Sequence, residues 1–221
     1  MVIFVIEYKY NMYKIGIICA MQSELELLSR QYDSNSEHIR CVLSGIGKVN
    51  AAMAASTLID NFKPDCMLSI GVAGSFAEGI VEGDVVIASE TAYHDVWCGE
   101  HCSFGQVEGQ PQRFACDSKL LGKATAALPE ARVGLNITGD QFYISMEEDA
   151  RQKALYPDAL SIDMEAAAVA QVCRAKDVPF LAVKIISDQH NDDRQAERYA
   201  DFWDNMADKS FTVIKKIINS L

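Results

Sequence analysis

Apolar runs of strand type alternate with helical stretches along almost the whole chain, and that alternation restricts the fold more than any other feature. Residues 13–21 (YKIGIICAM) form a continuous apolar run suited to a buried strand. The stretch after it, SELELLSR, has helical spacing, with Ser23 as its expected cap. The same reasoning predicts strands over 39–45 (IRCVLSG), 65–74 (DCMLSIGVAG), 84–90 (DVVIASE), 132–140 (RVGLNITGD), 159–163 (ALSID) and 180–188 (FLAVKIISD). Helices are expected over 48–62, 117–128, 146–155 and 164–176, with one long amphipathic helix over 195–221. The 65–74 strand is expected to close on a turn at Gly71-Val72-Ala73-Gly74, and 93–115 reads as an irregular loop.

Strands that are apolar throughout are buried on both faces, and strands joined through helices are mostly parallel. The expected architecture is therefore α/β: one domain, with a mixed, largely parallel sheet flanked by helices on both faces. No repeat or linker divides it. Residues 1–11 (MVIFVIEYKYN) lack the basic start and small-residue cleavage site of a signal peptide. Met12 stands just before the first strand, so 1–11 are expected to be an extension outside the fold and 12–221 the domain. No apolar run is long enough to span a bilayer.

A net charge of −11 argues against nucleic acid and anionic membrane as partners, since both would repel the chain. Small molecules, or a second copy of the chain, fit better. The seven cysteines form no tight framework in a chain large enough to need no staples, so free thiols in a reducing cytoplasm are expected. Four of the soft side chains (His94, Cys98, His101 and Cys102) crowd one segment. Their spacing matches no standard zinc finger or ribbon, so the segment reads as a loop with buried thiols, and neither metal nor cofactor is expected.

Ligands of open α/β sheets sit beyond the carboxyl ends of the strands, so polar residues there are the candidates. The first strand runs into Met21-Gln22-Ser23-Glu24, and the third ends in Val72-Ala73-Gly74, where backbone comes close to whatever binds. The others end in Phe142-Tyr143, in Asp163-Met164-Glu165 and in Ser187-Asp188. Each has a bland alternative: an acid in a first helical turn is favoured by the helix dipole, Asp188 suits a cap, and Phe142 suits a core. Together they describe a pocket with three carboxylates and almost no base. That composition fits hydroxyl recognition and acid–base chemistry better than anion binding. Glu24 would also repel a phosphate nucleophile, so water is favoured as the attacking group.

The set KIGIICAM…E, SGIGKVNAA, SIGVAGS, YHD, TGDQF, DMEAAAVA and KIISD, in this order, resembles the 5′-methylthioadenosine/S-adenosylhomocysteine nucleosidases of the nucleoside phosphorylase superfamily. The resemblance runs from Met12 to the C-terminal helix and implies a nucleoside phosphorylase-like fold and hydrolysis of 5′-thio-substituted adenosines. It implies that Glu24 activates water, that Asp188, oriented by Ser187, protonates adenine N7, and that Glu165 holds the ribose hydroxyls with Met164 packed on the sugar. Phe142 would stack on the purine and the Tyr143 backbone would read its edge. Met21, Ile46 and Tyr199 would line the 5′ slot, and Phe104 would reach into the neighbouring subunit's site, implying a homodimer.

Four departures from the family pattern stand out. Val72 replaces a common serine or threonine, and Lys184 replaces a common arginine. Both positions flank the nucleophilic water in the family, so an altered water site is expected. The segment before IRCVLSG is too short for a hairpin usual there, and HDVWCGEHCSFGQ differs from the usual loop beside the 5′ slot. Three alternatives stay open: a hydrolase of another 5′-substituted purine nucleoside, a purine nucleoside phosphorylase, and a non-catalytic nucleoside-binding protein.

Overall fold

A computed structural model describes residues 13–32, 36–142, 145–190 and 193–221; the expected extension at 1–11 lies outside the described residues. The chain runs β1 (Ile15–Cys19), α1 (Gln22–Ser29), β2 (Ile39–Leu43), α2 (Lys48–Phe62), β3 (Cys66–Ser75), β4 (Val85–Tyr93) and β5 (Arg113–Ala115). It continues through α3 (Ser118–Ala127), β6 (Arg132–Thr138), α4 (Met146–Leu155), β7 (Ala159–Asp163), α5 (Ala166–Ala175) and β8 (Phe180–Gln189). Three helices end it, α6 (Gln195–Asn205), α7 (Ala207–Thr212) and α8 (Ile214–Ile218).

The eight strands form one sheet in the order β2-β1-β3-β7-β6-β4-β5, with β8 paired to both β3 and β4. The pairs β1–β2, β1–β3, β3–β8, β4–β6 and β6–β7 are parallel, and β3–β7, β4–β5 and β4–β8 antiparallel. The sheet is thus mixed and largely parallel. It is not open: β3, β7, β6, β4 and β8 pair in a ring, and this closure gathers several strand ends around one centre. Side chains of β1 are buried throughout, and all of β8 is buried except Gln189, as expected of strands covered on both faces. The chain passes from α1 to β2 with no strand among the described residues between them, and β2 forms the sheet edge.

Four local expectations are corrected. Gly71-Val72-Ala73-Gly74 is not a turn, because β8 and β7 pair with β3 across it and keep it extended. The register of β3 on β8 shifts there: Ala73 faces Ile186 and Gly74 faces Asp188, leaving Ser187 as the extra residue of a bulge. A bulge of this kind re-aims the side chains beside it, here Ser187 and Asp188. The expected loop 93–115 ends in strand β5, whose Phe114 is buried beside Tyr93 with ring centroids 5.9 Å apart. The helix expected over 195–221 is kinked at Met206 and Val213, which lets Phe202, Phe211, Ile214 and Ile217 all reach the core. Finally, α1 is capped by Met21 rather than Ser23, and the Met21 N–H donates to Glu24 Oε2 at 3.0 Å.

Candidate active site

A cavity of about 600 Å³, counting its open mouth, sits where β1, β3, β7 and β8 end. It is lined by Met21, Glu24, Ile46, Val72, Ala73 and Gly74, and by Phe142, Met164, Glu165, Ser187, Asp188 and Tyr199. The structure therefore brings together twelve of the fourteen residues singled out in the sequence. Of the other two, Tyr143 lies outside the described residues, and Phe104 lies elsewhere, with the Arg151 guanidinium 4.2 Å from its ring centre.

Glu24 is the most tightly held carboxylate. It is 1 % exposed, and Oε1 accepts from the Val72 N–H at 2.8 Å while Oε2 accepts from the N–H groups of Ala20 (2.8 Å) and Met21 (3.0 Å). Burial pushes its pKa up, against these donors and the nearby Lys184 charge. Gly71 makes the arrangement sterically feasible, since a Cβ there would lie 2.5 Å from Glu24 Oε1. Val72 thus holds Glu24 through its backbone N–H, whatever its side chain lacks.

Beneath the cavity lies an ion pair that sequence reasoning did not assemble. Lys184 Nζ is 2.7 Å from Asp163 Oδ2 and 3.3 Å from Ser69 Oγ, and both charged side chains are almost fully buried. Asp163 Oδ1 also accepts from Asn136 Nδ2 (2.9 Å) and from the Thr138 hydroxyl, and Oδ2 accepts from the Ala166 N–H (2.9 Å). Burial opposes ionisation of Asp163, yet Lys184 and these donors hold its pKa below the usual value. Asp163, expected only to support a turn, joins β6, β7, β8 and the start of α5. The signal was present in FLAVKIISD: a lysine flanked by apolar residues in a buried strand needs a buried counter-ion.

Glu165 caps α5 from the other side of Met164, and its Oε1 accepts from the Gly47 N–H at 2.8 Å. Among the described residues Oε2 has no protein donor, so it remains available to a ligand hydroxyl. Burial, then the neighbouring Asp163 charge, pushes its pKa up to about 7. The SGIGKV, YHD and TGD motifs meet at this wall. Lys48 Nζ bonds both Asp95 oxygens (2.7 and 2.6 Å), Asp95 Oδ2 accepts from the Asp140 N–H (2.9 Å), and Asp140 Oδ1 accepts from the Lys48 N–H (2.8 Å). Sequence patterns marked these motifs without showing that they tie the Gly47 loop, and hence Glu165, to the Asp140 segment that precedes Phe142.

At the opposite end, Asp188 is 1 % exposed; Oδ1 accepts from Ser187 Oγ at 2.6 Å and Oδ2 from Gln195 Nε2 at 2.9 Å. Burial raises its pKa, against the two hydrogen bonds. Phe142 stands edge-on to Tyr199, with ring centroids 5.7 Å apart at 76°, and the Tyr199 hydroxyl is 3.1 Å from Met21 Sδ. Gln195 and His190 also line the cavity and were not anticipated. Burial drives His190 down to about 4, so it is neutral at pH 7.

The 94–102 segment differs from expectation. His94 is fully buried and bonds Gln152 at 2.9 Å, His101 is exposed beside Glu108, and Cys98 and Cys102 are only half-buried. Among the described residues no three histidine, cysteine, aspartate or glutamate side chains are grouped to hold a metal ion, and no helix is long and apolar enough to cross a membrane.

Comparison with known proteins points the same way as the geometry. A family model of the Phosphorylase superfamily matches residues 32–219. The 5′-methylthioadenosine/S-adenosylhomocysteine nucleosidase of Aeromonas salmonicida is 35 % identical over 94 % of this chain and 100 % of its own. Its counterpart from Actinobacillus succinogenes is 39 % identical over 79 % of this chain and 85 % of its own. The crystal structure of the nucleosidase from Neisseria meningitidis in complex with methylthio-immucillin-A superposes with a TM-score of 0.86 at 34 % identity, covering 95 % of this chain and 100 % of that one. By fold, by sequence and by length, this chain belongs to the 5′-methylthioadenosine/S-adenosylhomocysteine nucleosidase family of the phosphorylase superfamily.

Proposed function

We propose that the chain hydrolyses the N-glycosidic bond of 5′-thio-substituted adenosines, methylthioadenosine and S-adenosylhomocysteine, to adenine and the 5-thioribose. The observation that carries this reading is one cavity holding Glu24 and Asp188, two buried carboxylates with raised pKa values, with Glu165 and Met164 in the same wall. Asp188, whose pKa burial raises, delivers its proton to adenine N7 so that the base leaves neutral. The ribosyl group passes through an oxocarbenium-like state, and Glu24 takes the proton of the attacking water late in the reaction. Glu165 Oε2 accepts from the ribose hydroxyls, while Met164 offers the sugar a soft apolar face. Met21, Ile46 and Tyr199 enclose the thioether.

Hydrolysis is favoured over phosphorolysis by the state of Lys184. Its ammonium is paired with Asp163 and 2 % exposed, so it does not serve as a phosphate cradle, and Glu24 repels an anion. The test is incubation with each nucleoside, with and without phosphate, while free adenine is measured. Adenine from neither substrate would defeat the proposal, and release only with phosphate would make the chain a phosphorylase.

The same reading includes a homodimer. Ile46, Val49, Met53 and Trp97 are large apolar side chains exposed at 53–70 %, and Phe104 stands outside the cavity of its own chain. Exposed apolar side chains of this size suit burial against a second copy of the chain, and the family resemblance assigns Phe104 to the partner's 5′ slot. Light scattering at the mass of a monomer would refute it. The seven unpaired thiols suit action in a reducing cytoplasm.

A further inference from the structure

Gln195 opens α6 with its side chain inside the protein, at 2 % exposure. Its Nε2 donates to Asp188 Oδ2 at 2.9 Å and to the Phe142 carbonyl at 3.4 Å. A glutamine amide has two donor hydrogens on nitrogen and an acceptor oxygen, and the partners decide which end faces which. A backbone carbonyl only accepts. The Phe142 carbonyl therefore favours the NH₂ end towards Asp188.

Ser187, the other partner of Asp188, is not fixed in this way. Its hydroxyl carries one hydrogen and has two acceptors in reach, Asp188 Oδ1 at 2.6 Å and the Ala73 carbonyl at 3.4 Å. When Asp188 is protonated, Ser187 turns its hydrogen to Ala73 and accepts from the acid. It suits either protonation state. Gln195 suits only one, because a fixed N–H donor bonds an ionised carboxylate more strongly than a neutral acid.

We propose that Gln195 is a positioning residue for proton delivery by Asp188, stabilising the carboxylate as it forms and linking that step to the Phe142 platform. The inference rests on the reading of Asp188 as the proton donor. In the transfer, the O–H bond of Asp188 breaks, its electron pair stays on the carboxylate, and the proton forms the new bond at purine N7. The hydrogen bond from Nε2 strengthens as that charge develops, so it lowers the barrier rather than only binding substrate. Tyr199, four residues along the same face of α6, contacts Phe142 and the Met21 thioether. One helix thereby touches the proton donor, the purine platform and the 5′ slot.

Other charged or titratable groups face Asp188 and are unchanged by substitution at 195. Glu82 acts on it and is paired with Arg198 of α6 at 2.8 Å. His190 lies two residues along the chain, Tyr199 comes from α6, and Glu24 and Glu165 line the same cavity.

The test is the pH profile of kcat/KM for adenine release from methylthioadenosine by the full chain, with Gln195→Leu, Gln195→Glu and Asp188→Asn. An acid catalyst works below its pKa and is lost above it, so the alkaline limb reports Asp188. Gln195→Leu removes a donor that favours the anion. It should lower kcat/KM about tenfold to a hundredfold and move the alkaline limb up by roughly one pH unit. Gln195→Glu should recover activity at low pH, where its carboxyl is protonated and can donate, and lose it steeply as pH rises. A slower enzyme with the limb in place, or a change in KM alone, would show Gln195 to be packing and overturn the inference. Asp188→Asn at full rate would overturn both the inference and the reading beneath it, whereas an inactive Asp188→Asn beside an unmoved limb removes the inference alone. If Gln195→Leu does not fold, the profile of Gln195→Glu decides by itself.

Discussion

Replacing Lys184 by methionine keeps a straight stem of similar volume and deletes only the charge, so it isolates the electrostatics under the cavity. In the native protein the ammonium lies 2.7 Å from Asp163 Oδ2, with side-chain exposures of 2 % and 1 %. Removing one member of such a pair leaves the other charged and buried, which costs about 3–5 kcal/mol. For a chain of this size each kcal/mol lowers the melting temperature by about 2–4 °C, so a fall of roughly 6–20 °C is expected. Adding Asp163→Asn removes the stranded charge, and the double variant should recover part of the loss. The charge also favours ionisation of Glu24, so its removal raises the Glu24 pKa further. A general base works above its pKa and fails as pH falls through it, so the acid limb of kcat/KM should move to higher pH. Thermal melts and a pH–rate profile measure both effects. A melting loss below about 3 °C, near 1 kcal/mol, together with an acid limb in its native place, would refute the account.

Gly71→Ala places a methyl 2.5 Å from Glu24 Oε1 and must displace the carboxylate or the strand; kcat should fall about a hundredfold or more. A fold that melts normally while adenine release is lost would locate the effect at Glu24, and a near-native rate would contradict the geometry. Glu165→Gln should weaken both KM and kcat, because the amide replaces an acceptor of ribose hydroxyls. The same variant tests the raised pKa by stability. Folded Glu165, at about 7, holds a proton that the unfolded chain releases near 4.5, so stability falls as pH rises between those values. The fall should be on the order of 3 kcal/mol in chemical denaturation and should disappear in Glu165→Gln; the same slope in both proteins would exclude this group as its source.

The parts of the fold legible in the sequence were those governed by local pattern. Continuous apolar runs at 159–163 and 180–188 gave β7 and β8 within a residue, and small-residue helical spacing gave α2 at its observed bounds. Ring closure was not legible, because β8 pairs with strands far from it in sequence, and no local signal specifies two partners. For the same reason Gly71-Val72-Ala73-Gly74 looked like a turn. Its glycines permit one, but Gly71 serves the close approach of Glu24 to an extended backbone. In the site, the acids at strand ends were visible as residue types. Their partners were not: Lys184 and Asp163 meet only through packing of β8 and β7 against common neighbours, and Gln195 meets Asp188 only because α6 folds back onto the end of β8.

The buried charges of the site do not balance, and the imbalance has a chemical direction. Among the described residues, Glu24, Asp163 and Glu165 surround one buried cation, Lys184, which pairs with Asp163 and also bonds Ser69. That pairing neutralises the charge below the cavity and leaves Glu24 and Glu165 as the acidic groups whose field a substrate meets. With its pKa near 7, Glu165 adds to that field as it ionises, and a ribosyl group gaining positive charge favours its ionised form. Such a field is oriented before reaction and stabilises a cationic transition state more than the neutral substrate. It repels phosphate by the same charge. Had Lys184 faced the cavity instead of Asp163, the field at the sugar would weaken and an anionic nucleophile would be tolerated. In the proposed mechanism, Asp163, two residues before Glu165, thus holds the lysine's charge away from the reacting centre.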